Sequence, residues 1–192
     1  MCDRDHPQPS NLYPLIFYKD GKTCVFWDVE DYPIPDGLDP ASIYQRIKEA
    51  VNKYGCDAEL SIQAYADDNN NTFSDDLRRQ FSDAGFILQV FTEGDKYARH
   101  CSMYGDIMLW SLENPKSNVI IIAKITDDDL ADRIGCLTRV WSYGLLLSQA
   151  KPEWLQKLFP VGSVPSFLTA IFDGRYINRS SRSKGKRGRY SG

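Results

Sequence analysis

The sequence predicts an α/β fold, a doubly wound and mostly parallel sheet covered by helices. Two observations carry this. Short β-rich apolar runs alternate with segments of helical periodicity along most of the chain. One run, Val119–Ala123, is β-branched and lacks polar alternation, as a central strand covered on both faces requires.

Taken in order, residues 1–21 are polar, contain Pro7, Pro9 and Pro14, and read as a flexible leader. Thr23–Trp27 is the first strand, running into Asp28-Val29-Glu30-Asp31 and a turn with Pro33, Pro35 and Gly37. Pro40 suits the first turn of a helix, and Ile43, Ile47, Ala50, Val51 and Tyr54 recur at helical spacing up to Gly55. Ala58–Tyr65 alternates as a second strand, the Asp67–Asn71 stretch is a polar loop, and Phe73–Ala84 is helical. Gly85 precedes a third strand, Phe86–Phe91, and Lys96–Glu113 is a long helix stopped at Pro115. Val119–Ala123 is the fourth strand, Asp129–Leu137 a short helix and Val140–Leu147 the fifth strand. Pro152–Phe159 and Val164–Phe172 are terminal helical pieces, which gives one domain over residues 22–173.

Composition narrows the function classes. With 42% hydrophobic residues the chain can bury a core, yet no apolar run approaches the roughly 18 residues that span a bilayer. Met1–His6 has no apolar stretch of the signal-peptide kind, so secretion is not expected. Five scattered cysteines without a CxxC pair, and only two histidines, point away from disulfides and zinc. The expectation is a reduced intracellular protein, cytoplasmic or nuclear, without membrane contact. Residues 174–192 hold seven basic residues and no acid, whereas the other 173 residues hold 16 basic and 26 acidic ones, a net of −10. Such a tail is expected to be disordered, and Arg182, Lys184, Lys186, Arg187 and Arg189 suit RNA phosphates without sequence preference. Nothing matches a glycine-rich phosphate loop.

The chemistry is expected where open α/β sheets bind ligands, at the carboxyl ends of strands where strand order reverses. The first strand ends in Asp28, and the fourth runs through Lys124-Ile125-Thr126 into Asp127-Asp128-Asp129. If these strands are neighbours, Asp28 and Asp127 face one crevice. Asp106 lies in the long helix among Met103, Leu109 and Trp110, an apolar setting in which a charge needs compensation. Clustered carboxylates of this kind suit a hard divalent cation, Mg²⁺ or Mn²⁺. Each acid also has a plain structural role open to it. Asp28 ends a strand, Thr126–Asp129 caps a helix, and Asp106 pairs with Arg99 or Lys96. Asp67, Asp68, Asp75 and Asp76 read as solvated and His100 as a surface histidine, while Trp27, Trp110 and Trp141 read as packing residues.

Val25-Phe26-Trp27-Asp28-Val29-Glu30-Asp31 resembles the opening signature of NYN domains, PIN-like nuclease relatives, and specifically the meiosis regulator and mRNA stability factor (limkain-b1-type) subgroup. Pro33–Pro40 is similar to an expanded plant set described as endonucleases, and the resemblance covers about residues 22–172. It implies a PIN-like (Rossmann-like) three-layer sandwich around a five-stranded sheet. It also implies metal-dependent endonucleolytic cleavage of single-stranded RNA in the regulation of gene expression. Carried over by position, Asp28, Asp106 and Asp127 become ligands of Mg²⁺ or Mn²⁺, and Asp129 a fourth catalytic acid. Ile125-Thr126 departs from the Ser-Gly usual before the first of these strand-four acids, and Met103-Tyr104 departs from the small residues usual before the helical one. Lys96 and Arg99 are then expected to engage phosphates. The alternative is a non-catalytic scaffold that binds RNA or protein partners. A homodimer is compatible with either.

Overall fold

The computed structural model describes residues 18–53, 58–68, 73–92, 95–127, 129–130, 133–134, 144–150 and 171–172. Its elements are β1 (Thr23–Asp28), α1 (Pro40–Lys53), β2 (Leu60–Asp67), α2 (Asp75–Asp83), β3 (Phe86–Phe91), α3 (Lys96–Glu113), β4 (Asn118–Ile125) and β5 (Gly144–Ala150). The strands pair in parallel in the order β3-β2-β1-β4-β5. The chain therefore builds β2 on one side of β1 and β4 on the other, and the order reverses between β1 and β4.

Two apolar clusters sandwich the sheet. Val25 and Trp27 of β1 pack with Ile43 and Ile47 of α1, Phe81 of α2, and Ile120 and Ile122 of β4. Cys24 and Phe26 pack on the opposite face with Met103 and Ile107 of α3 and Val119 and Ile121 of β4. Because both faces are covered, every residue of β1 is buried, and its strand signal is a continuous apolar run. Burial pushes the Cys24 thiol up to about 12, leaving it protonated.

Several boundaries differ from the sequence expectation. The second strand extends to Asp67, which pairs in register with Phe91, so Asp67 ends a strand and does not sit in the polar loop. The second helix begins later, because the Ser74 side chain accepts the Leu77 amide at 3.2 Å and caps it. Phe73, left outside, is buried against Phe81. Between α2 and β3 Gly85 holds φ at +94°, a conformation that disfavours a side chain. β5 runs three residues past the expected Leu147. Helical backbone appears at 129–130 and 133–134, while the helix expected over Pro152–Phe159, Trp141 and the basic tail lie outside the described residues. Of the last expected helix only Ile171 and Phe172 are described, with their carbonyls bonded by Arg46 at 3.1 and 3.3 Å.

Trp27 is the centre of the first cluster. It is wholly buried, its rings lie 5.7–6.2 Å from those of Phe81, Phe86 and Phe172, and its indole N–H donates to the Tyr32 carbonyl at 2.8 Å. Trp27→Ala is expected to cost about 3–5 kcal/mol in urea unfolding. A loss below about 1 kcal/mol would contradict this packing.

Candidate functional site

β1 turns from apolar to acidic at its last residue. Strand alternation places Asp28 on the face of Cys24 and Phe26, the face covered by α3. Its carboxylate is fully buried and receives four donors. Oδ1 accepts the backbone amides of Glu30 at 2.9 Å and Asp31 at 3.1 Å, which shapes the turn after the strand. Oδ2 accepts Arg99 Nε at 3.0 Å and His100 Nε2 at 2.8 Å.

Asp31 completes the group. Its Oδ1 accepts Lys96 Nζ and its Oδ2 the Lys124 amide, each at 2.6 Å, and His100 Nε2 stands 3.3 Å from Oδ2. Since both partners of His100 Nε2 are carboxylates, which can only accept, that nitrogen carries the proton. Arg99 Nη1 meets Asp67 Oδ2, and the other Asp67 oxygen is buried without a hydrogen-bond partner. The Asp67 amide in turn donates to Glu30 Oε1 at 3.2 Å.

The ends of β1 and β2 thus supply acids, and the first two turns of α3 supply the cations Lys96 and Arg99 and the imidazole of His100 at i, i+3 and i+4, one helix face. A helix N-terminus disfavours positive charge, so these cations are held there by the acids they meet. Burial opposes charging the His100 ring, but its bonds to Asp28 and Asp31 outweigh that and raise its pKa. Burial likewise opposes ionising Asp31. The bonds from His100, Lys96 and the Lys124 amide overcome it and hold its carboxyl well below the usual carboxylate range.

The residues singled out from sequence fall in different places. β1 and β4 are neighbours, so Asp28 and the end of β4 lie at the same end of the sheet. Asp127, two residues past β4, accepts the Leu130 amide at 2.8 Å as a helix cap, and Asp129 is exposed. Asp106 does not pair with Arg99 or Lys96. It accepts Tyr65 Oη at 2.9 Å and Gln89 Nε2 at 2.7 Å, two helical turns along α3 from Arg99. Burial first, and then Asp106, raise the Tyr65 pKa. Lys96 and Arg99 engage acids of the same chain. His100, expected at the surface, is buried at 3% exposure, because its place on α3 faces the end of β1. Asp67 and Asp68, expected to be solvated, are both paired, Asp68 with Arg78 at 2.8 Å.

Asp28, Asp31 and His100 each offer a ligand atom, and the three atoms lie within 4.8 Å of one another. Two carboxylates and an imidazole at this separation fit the donor set of a divalent cation. A family model for the NYN domain matches residues 22–157 of the chain. No curated protein matches it.

Two outcomes follow from the charge arrangement. Arg99→Ala strands the fully buried Asp28 and the partly buried Asp67, and should destabilise the fold by about 3–5 kcal/mol, measured by urea unfolding. The raised His100 pKa contributes stability that is full below its ordinary value of 6.5 and is lost as pH rises through the raised one. The lowered Asp31 pKa contributes stability that is full above its ordinary 3.8 and is lost as pH falls. The urea midpoint should therefore be highest between roughly pH 4 and 6.5, and His100→Gln should flatten the decline above that window. An unchanged decline in His100→Gln would contradict the assignment.

Proposed function

Because the chain belongs to the NYN domain family, we propose that it is a divalent-cation-dependent ribonuclease cutting single-stranded RNA at the acidic centre where β1 and β4 diverge beneath α3. The observation that carries this reading is the meeting of Asp28, Asp31 and His100 at the sheet's switch point, where α/β folds bind ligands. These three residues would hold the cation, His100 through Nε2 once that nitrogen gives up its proton, in place of the sequence-derived set of Asp28, Asp106 and Asp127. An imidazole among the donors makes Mn²⁺ a better match than Mg²⁺. When bound, such an ion lowers the pKa of a coordinated water and offsets charge developing on the phosphodiester.

The chain's own residues do the rest. The backbone amides of Glu30 and Asp31 fix the Asp28 carboxylate, and the Lys124 amide fixes Asp31. The Lys124 ammonium, exposed and 5.1 Å from the centroid of the Tyr32 ring, and the half-exposed Lys96 are placed to meet phosphate oxygens. Arg182, Lys184, Lys186, Arg187 and Arg189 add sequence-independent attraction to the RNA backbone. Asp127 and Asp106 support the site from outside it, the first by capping the turn after β4 and the second by anchoring Tyr65 and Gln89.

One observation favours a second reading, that of an RNA-binding scaffold without catalysis. The four donors on Asp28 fill the acceptor positions of a carboxylate. The scaffold reading predicts RNA association that is indifferent to chelator, falls steeply with salt, and is lost when residues 174–192 are removed.

The test is incubation of the full chain with 5′-labelled single-stranded RNA and millimolar Mn²⁺. The expected result is cleavage abolished by EDTA and reduced at least 100-fold by Asp28→Asn. Cleavage by Asp28→Asn at the wild-type rate would remove the centre from the active site. Intact RNA with folded wild-type protein would favour the scaffold.

A further inference from the structure

Three carboxylates converge at this centre, and two permanent cations of the same chain already neutralise most of their charge. Arg99 bonds Asp28 at 3.0 Å and also meets Asp67, while Lys96 holds Asp31 at 2.6 Å. We infer that Arg99 and Lys96 stand in for the divalent cation in the resting chain, so that metal loading requires their withdrawal and wild-type affinity for divalent cations is weak. The inference deepens the hydrolase reading and rests on its assignment of Asp28, Asp31 and His100 as the cation site.

Three features support it. An ion approaching Asp28 Oδ2 must displace Arg99 Nε or His100 Nε2, since both occupy that oxygen. Arg99 and Lys96 leave only one of the three negative charges uncompensated, whereas a divalent ion brings two positive charges. Both cations also lie in the first turns of α3, where the helix dipole opposes them and, among the described residues, acids hold them. The two differ in mobility. Lys96 is half-exposed on a flexible stem and can swing into solvent, but Arg99, at 3% side-chain exposure, is clamped between two acids. Arg99 is therefore the main determinant of metal affinity and Lys96 the lesser one.

The experiment is Mn²⁺ binding to the full-length chain without RNA, read by calorimetry and by loss of the free-ion electron paramagnetic resonance signal. Arg99→Met is expected to bind one Mn²⁺ at least ten-fold more tightly than wild type, and Lys96→Met several-fold more tightly. Adding Asp28→Asn to either variant should remove the gain. Equal or weaker binding by the variants, or a gain that survives Asp28→Asn, would overturn the inference. If circular dichroism shows Arg99→Met unfolded, Lys96→Met alone decides, and no gain there overturns it. A variant that binds Mn²⁺ tightly but leaves RNA intact counts against the hydrolase reading and leaves the counter-ion role supported.

Discussion

The fold hinges on an unusual demand: a carboxylate with no solvent exposure at the end of its central strand. A buried ionised acid is costly unless it is paired and fully hydrogen-bonded. Asp28 meets that condition with two backbone amides from the turn that follows it and two side chains from α3. The same contacts define the entry to the Asp31 turn, orient the first turns of α3 and, through the second arm of Arg99, tie the end of β2 to both. Charge pairing at one edge of the sheet thus fixes how the α3 layer sits, while Met103 and Ile107 supply the apolar contact below it.

For chemistry this arrangement has two consequences. The donors suited to a divalent cation are gathered at the place where the strand order reverses, as in other α/β proteins that bind ligands. Their charge, however, is balanced from within. A site built of carboxylates alone would repel itself and draw in an ion. This one holds Arg99 and Lys96 among its acids, with the His100 ring donating to Asp28 beside them. The acids farther out have local duties. Asp127 caps a turn, and Asp106 holds Tyr65 and Gln89 on the α3 side of the sheet. No helix among the described residues is long and apolar enough to cross a membrane.

Much of this was legible in the sequence. The limits of β3 and α3 were readable to the residue, because Gly85 and Pro115 punctuate them and the apolar spacing changes there. Asp28 was readable too, as the first charge after a run buried on both faces. The partners of Asp28 were less so. Lys96 and Arg99 read as phosphate contacts or as partners of Asp106, and a histidine lacking a Ser or Cys motif reads as a surface residue. Their signal lay in position. Residues 96, 99, 100, 103 and 107 form one helical stripe that passes from basic to apolar, and a stripe buried at one end faces the same surface at the other. Asp67 was hidden by a strand boundary two residues short. The partners of Asp106 were not readable, because its surroundings along the helix are apolar and Tyr65 and Gln89 come from β2 and β3.

Asp28 and Arg99 act as a pair at the centre of this arrangement, and a double-mutant cycle tests that most directly. Urea unfolding of wild type, Asp28→Asn, Arg99→Met and the double variant gives the coupling between them. The expected coupling is at least about 2 kcal/mol, with the second substitution costing far less once the first is present. Losses that add to within about 0.5 kcal/mol would contradict it and leave Arg99 a bystander to the acidic centre.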